Sequence, residues 1–194
     1  MPPGQTPSQT PSQTVGPFFG PALIWPGAET LVRAKTRGER IVIEGRVFDG
    51  DGAPVADAMI EIWQANAEGR YDHPDDSQQK QLDPDFHGFG RVATDPSGGY
   101  RLRTIRPGAV AARDLGLQAP HINVAVFARG LLKHLVTRIY FPNEPLNADD
   151  PILKTVPPDR RPTLVARAIE NAAGPGFRFD IVLQGDNETV FFSL

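Results

Sequence analysis

Short runs in which apolar and polar residues alternate with period two fill this sequence from residue 40 onward. They constrain the fold more than any other feature. Arg40–Phe48 (RIVIEGRVF) alternates and then meets Asp49-Gly50-Asp51-Gly52, a turn signal. Asp57–Trp63 alternates again. Phe89–Thr94 and Tyr100–Ile105 flank Asp95-Pro96-Ser97-Gly98-Gly99, read as a hairpin loop. His121–Ala128 and Leu135–Phe141 form a further strand pair, and Phe177–Leu183 and Thr189–Phe192 flank Gly185-Asp186-Asn187. Arg161–Ala173 alone reads as helix, with Leu164, Val165, Ala168 and Ile169 at helical spacing. Twenty prolines and nineteen glycines are too many for a helical bundle. The expected class is all-β: a β-sandwich of mostly antiparallel strands with long loops and one short helix. The long connections are 71–88 and 106–120, a length that in a compact domain marks loops used for function or partner contact.

The 194 residues fit one domain, expected over 19–194 behind an N-terminal arm, 1–18. The arm begins MPPGQTPSQTPSQT, polar, Pro-rich and with a tandem P-S-Q-T, and ordering it costs roughly 1 kcal/mol or more per residue. It has neither the basic nor the apolar region of a signal peptide. No run approaches a membrane span, and a net charge of −3 gives no support for a nucleic-acid partner. The cytoplasm is the expected location. With no cysteine in the chain, disulfides, thiolate metal sites and cysteine nucleophiles are excluded.

Four histidines, three tyrosines and many carboxylates make an N/O metal site conceivable. Asp83, Asp85 and His87 form a D-x-D-x-H cluster, read first as a solvated turn. His134 is read as a surface residue near a strand start. Period two puts His121 and Asn123 on one strand face, but a neutral amide is a poor metal ligand, so two polar residues at a strand start is the simpler reading. Arg129, ending an apolar strand, has the fork geometry to grip a carboxylate, and a surface ion pair is the plainer alternative. No G-x-S-x-G, H-E-x-x-H, phosphate-binding loop or dinucleotide fingerprint is present.

Six stretches in order then carry a resemblance. They are TPSQTVGPF (10–18), EGRVFDGDGAPVADAMIEIWQANAEGRY (44–71), FGRVATDPSGGYRLRTIRPG (89–108), PHINVAVFARG (120–130), TRIYF (137–141) and RFDIVLQGDNETVFF (178–192). The chain resembles the intradiol ring-cleaving dioxygenases over about residues 5–194. The T-P-S-Q-T-x-G-P arm and F-A-R-G resemble the alpha chains of two-subunit members in particular.

The resemblance implies a ferric site made by two tyrosinates and two imidazoles in catalytic chains. Carried over position by position, the first tyrosine matches Tyr71 and the first histidine His121. Val110 stands at the second tyrosine's place, Asn123 at the second histidine's, and Gln118 where catalytic chains have an arginine. The implied cofactor, Fe(III), is therefore expected on a partner beta subunit and not on this chain. The implied reaction is O2-dependent intradiol cleavage of protocatechuate to 3-carboxy-cis,cis-muconate, by a higher-order alpha/beta hetero-oligomer. No catalytic or metal-binding residue is expected here, and the chain alone is expected to be inactive. Thr14, Gly16, Pro17, Phe18, Arg129 and Tyr71 are the expected substrate-binding residues, the arm reaching the partner's site. Two other readings compete: a non-enzymatic transthyretin-like binding module, and a degenerate metalloenzyme using Tyr71, His121 and loop carboxylates.

Overall fold

The computed structural model describes residues 22–112, 116–170 and 174–193. The alternating runs become two packed sheets. In chain order the strands are β1 (Arg40–Phe48), β2 (Met59–Gln64), β3 (Phe89–Ala93), β4 (Gly99–Ile105), β5 (Val110–Ala112), β6 (Gly116–Gln118), β7 (His121–Phe127), β8 (Leu135–Tyr140), β9 (Arg167–Ile169), β10 (Gly176–Arg178) and β11 (Ile181–Val182). The first sheet is built on β1, which pairs antiparallel with β4 and parallel with β10 and β11, while β9 joins outside β10. The second is antiparallel throughout, in the order β3-β2-β7-β8. Between them lie Ile41, Ile43, Val47 and Leu102 from the first sheet and Ile60, Ile62, Ile122, Val124, Val126 and Ile139 from the second, all buried. The β-sandwich expectation holds.

Several local expectations are corrected. The Asp95–Gly99 turn forms, with the Asp95 carboxylate accepting from the amides of Ser97 (2.7 Å) and Gly99 (2.9 Å). It is not a hairpin, because β3 pairs with β2 and β4 pairs with β1, so the turn carries the chain from one sheet to the other. The helix expected over 161–173 is absent through residue 170. Arg161–Leu164 makes one 3-10 turn, after which β9 pairs with β10. Pro162 limits helix hydrogen bonding, and Leu164 and Ala166 are buried at period two, with the Ala166 amide bonded to Tyr140 O at 2.9 Å. Residues 171–173 lie outside the described residues, as does the whole expected arm, 1–18. Thr189–Phe192 is no strand. It seals the edge of β8, where Phe192 N donates to Val136 O (2.8 Å) and Thr137 Oγ1 to Val190 O (2.7 Å). Among the described residues no helix is long and apolar enough to cross a membrane.

The strand expected over 177–183 is interrupted at Phe179 and Asp180, although Glu44↔Arg178 and Val47↔Ile181 keep one register. Gly45 explains the interruption. The buried Tyr100 side chain crosses over it and donates to Phe179 O at 2.5 Å. A Cβ on Gly45 would lie 1.8 Å from that same oxygen. The Asp180 carboxylate, at 3.0 Å, replaces a ladder carbonyl for Arg46 N. Removing the hydroxyl by Tyr100→Phe leaves a buried carbonyl without this donor, and the expected cost is about 1–3 kcal/mol in urea denaturation. A loss near zero would mean that Tyr100 holds the sheet by packing alone.

Candidate functional site

The second sheet ends in a loop whose shape is set by Asn66. Its Oδ1 accepts from the amides of Glu68 and Arg70, both at 3.0 Å, and its Nδ2 donates to Gln81 O at 2.9 Å. Its carbonyl accepts from Gly69 N and Gly108 N, both at 2.9 Å. The loops meet backbone to backbone here. A Cβ on Gly108 would lie 2.4 Å from Ala67 O, and one on Gly69 (φ +80°) 1.9 Å from Ala109 O. This close approach delivers Tyr71 and Val110 to the two sides of one open cleft of about 460 Å³.

The Tyr71 ring stacks on Trp63 at 5.7 Å and 18°. From β7, Asn123 Nδ2 donates to the Tyr71 hydroxyl at 3.0 Å and to Trp63 O at 3.2 Å. His121, two residues earlier on the same face, is 1% exposed. Its Nδ1 is 2.7 Å from Ala119 O and so carries the proton, leaving Nε2 as an acceptor 3.4 Å from the Tyr71 hydroxyl. Burial, aided by the charge of Arg138, lowers the His121 pKa to about 4, and burial outweighs the Asn123 hydrogen bond to raise that of Tyr71. Tyr71, His121 and Asn123 are thus a neutral, mutually hydrogen-bonded set at neutral pH.

In the polar shell beyond, Gln118 was located by the resemblance, whereas Arg138, Tyr140 and Asp150 were not singled out by sequence. Arg138 on β8, in register with Asn123, donates to Gln118 Oε1 at 2.7 Å. Gln118 is the register partner of Val110 across β5 and β6. Tyr140 donates to the fully buried Asp150 at 3.0 Å, and the other oxygen of Asp150 accepts from Ala119 N at 2.8 Å. That bond fixes the backbone to which His121 is tied. Period two along β8 puts Arg138 and Tyr140 on one face, a signal present in the TRIYF run. Nothing in sequence pairs that face with Asn123.

The structure brings Tyr71, His121, Asn123, Val110 and Gln118 together and keeps Arg129 apart. Arg129 follows the far end of β7 from His121, at a separation of roughly 26 Å at strand rise. It is 81% exposed and makes an ion pair with Asp57. Thr14, Gly16, Pro17 and Phe18 lie outside the described residues. Asp83 and Asp85 do form a turn, with the Asp83 carboxylate accepting from Arg37 N (2.8 Å) and Asp85 N (3.0 Å). His87 turns away to pair with Asp72 at 2.6 Å. His134 is exposed and stacks on Phe127 at 5.2 Å. Among the described residues no three His, Asp or Glu side chains converge as metal ligands.

The sequence matches the dioxygenase family profile over residues 15–185. The chain belongs to the intradiol dioxygenase family. It is 43% identical over 169 residues to the protocatechuate 3,4-dioxygenase alpha chain of Burkholderia cepacia, covering 85% of this chain and 82% of that one. It is also 43% identical, over 158 residues, to the beta chain from the same organism, covering 78% and 67%. Among solved structures, the dioxygenase domain of a carbohydrate-binding fusion protein from Streptomyces sp. SirexAA-E superposes with a TM-score of 0.64. Its identity is 27%, over 94% of this chain and 99% of that one. Intradiol dioxygenase function follows from these relatives, and they give no support to a non-enzymatic binding module.

This family's chemistry implies a bound iron. A ferric ion favours anionic oxygen and imidazole donors. Here Val110 and Asn123 supply neither, and the Tyr71 hydroxyl already bonds Asn123 and faces the His121 nitrogen. The set does not fit the ion. Its neutrality has a pH signature. With a folded pKa near 4 and an unfolded value near 6.5, His121 takes up a proton more readily in the unfolded chain. Stability is therefore full above pH 6.5 and falls toward pH 4, by on the order of 3 kcal/mol. A His121→Asn variant should show a flatter pH–stability profile between 6.5 and 4, and an unchanged slope would place that titration elsewhere.

Proposed function

We propose that this chain is the iron-free alpha member of an alpha/beta protocatechuate-cleaving intradiol dioxygenase. A beta partner holds the Fe(III), and this chain completes the substrate pocket. The observation that carries this reading is the self-satisfied Tyr71–Asn123–His121 set facing an aliphatic Val110. The resemblance to alpha and beta chains of protocatechuate 3,4-dioxygenase supports a hetero-oligomer and that substrate.

In this reading the chain binds and orients, and the partner's metal site supplies the oxygen chemistry. Among the described residues Arg129 is exposed and held by a surface pair with Asp57, so its guanidinium is available to a carboxylate brought by another subunit. Its distance along β7 from His121 supports a role in a neighbour's pocket and not in this chain's own cleft. Thr14, Gly16, Pro17 and Phe18 would line the same neighbouring pocket, Gly16 and Pro17 letting backbone approach the ligand and Phe18 walling the ring. Tyr71 is left to hydrogen-bond at the mouth of its own cleft.

Metal analysis of the chain purified alone should find no stoichiometric iron and a colourless, inactive protein, whereas co-expression with the beta partner should give a coloured enzyme that cleaves protocatechuate. Stoichiometric iron bound by the lone chain would overturn the assignment. In the assembled enzyme, Arg129→Ala should raise KM for protocatechuate roughly tenfold or more while changing kcat less, since gripping a carboxylate is largely uniform binding. An unaltered KM would remove Arg129 from the site.

A further inference from the structure

We propose that Arg91 is the positioning residue for the N-terminal arm: it fixes the point on the second sheet from which residues 1–21 depart, and so whether the arm reaches a neighbouring subunit's pocket. This deepens the reading above and rests on its assignment of the arm to that pocket.

Residues 28–31 form a strap that joins the edges of the two sheets through backbone bonds. Ala28 O accepts from Arg91 N on β3 at 2.9 Å, Glu29 O accepts from Arg103 N on β4 at 2.9 Å, and Leu31 N donates to Arg103 O at 2.8 Å. Packing supports these bonds, since a Cβ on Gly90 would lie 2.3 Å from Leu31 Cδ1. The chain before the strap is held differently. Ala22 and Leu23 are helical, and the chain turns out of that geometry at Ile24, which leaves the Leu23 carbonyl without a helical amide ahead of it to bond. Arg91 Nη1 donates to this carbonyl at 2.9 Å. A cation is favoured at such a carbonyl end.

The guanidinium that makes this bond is itself held in one geometry. Its Nε donates to Glu61 Oε1 at 2.7 Å, and Nη2 pairs with the same oxygen. The Trp25 ring lies 4.9 Å from it and the Phe89 ring 5.3 Å. The Arg91 and Glu61 side chains are only 13% and 20% exposed, so the fork does not sample solvent freely. Its place matters for function. Glu61 and Arg91 are register partners, two residues along from the Trp63–Phe89 pair. Trp63 walls the cleft, and Glu61, Trp63 and Phe89 line one groove on the same face. The strap stays tied to both sheets without the Arg91 side chain, whereas the root of the arm, at Leu23, is tied to this face through it.

The test uses the assembled alpha/beta enzyme with Arg91→Gln, and with Arg91→Met combined with Glu61→Gln, which leaves no unpaired carboxylate. Both are placed in the full chain and in a chain lacking residues 1–18. Removing the arm should raise KM for protocatechuate. In the full chain both variants should raise KM roughly fivefold or more with kcat changing less, as a misplaced binding wall does. In the shortened chain they should add nothing, because a residue that acts through the arm has nothing left to act on. Hydrogen exchange on the full chain needs neither truncation nor turnover: the amides of residues 22–25 should exchange about tenfold faster in both variants, while those of 59–64 keep their wild-type rates. Unchanged exchange at 22–25, or an equal rise in KM with and without the arm, would overturn the proposal. Arg91 variants with wild-type KM beside an effective truncation would overturn it and leave the arm's role standing. A KM indifferent to truncation would overturn the arm's assignment itself, and the proposal with it.

Discussion

The carboxamide of Gln64 ties the two sheets together where the site is built. It is 1% exposed at the end of β2. Its Nε2 donates to Ile105 O at 3.0 Å, across the sandwich, and to Ala65 O at 3.2 Å, while its Oε1 accepts from Thr104 at 2.7 Å. In a low-dielectric core a fully paired amide resists displacement, because separating its partners would strand several polar groups. Everything that delivers Tyr71 and Val110 begins within a few residues of this pin. Asn66 takes over from Gln64 on one strand and Gly108 follows Ile105 on the other, and their loops are fixed to each other through Gly108 N and Asn66 O. The cleft is therefore anchored to the core and does not depend on loop packing alone.

Most of the strand content was legible because period-two burial is a local signal. Residues 41, 43 and 47 or 60 and 62 face inward whatever the topology. Partner choice was less legible. The Asp95–Gly99 turn has every local mark of a hairpin, yet the neighbours of β3 and β4 are decided by strands distant in sequence. The 161–170 segment was misread because Leu164, Val165, Ala168 and Ile169 satisfy helical spacing. Pairing with Gly176–Arg178 and contact with Tyr140 outweigh that weak preference. At the site, the resemblance located Tyr71, His121, Asn123 and Val110 by position. Arg138, Trp63 and Asp150 are visible only once cross-strand register is known.

The site is held together by neutral groups. Asn123 aims a donor at Tyr71, His121 is tethered to the Ala119 backbone, and Val110 closes the wall with carbon. Each is satisfied in its neutral form, so this part of the scaffold is packed and hydrogen-bonded without a cation.

The sealing of β8 by residues 190–192 has a consequence for how the chain reaches this state. β10 and β11, which complete β1, also come from the last quarter of the sequence, so the earliest strand waits for nearly the latest. Such long-range closures are entropically late events. Until they occur, a nascent molecule displays open ladders on both layers. Those unpaired edges are the places where an incompletely folded chain is open to self-association, and closing them late in the sequence shortens the list of edges the finished sandwich exposes.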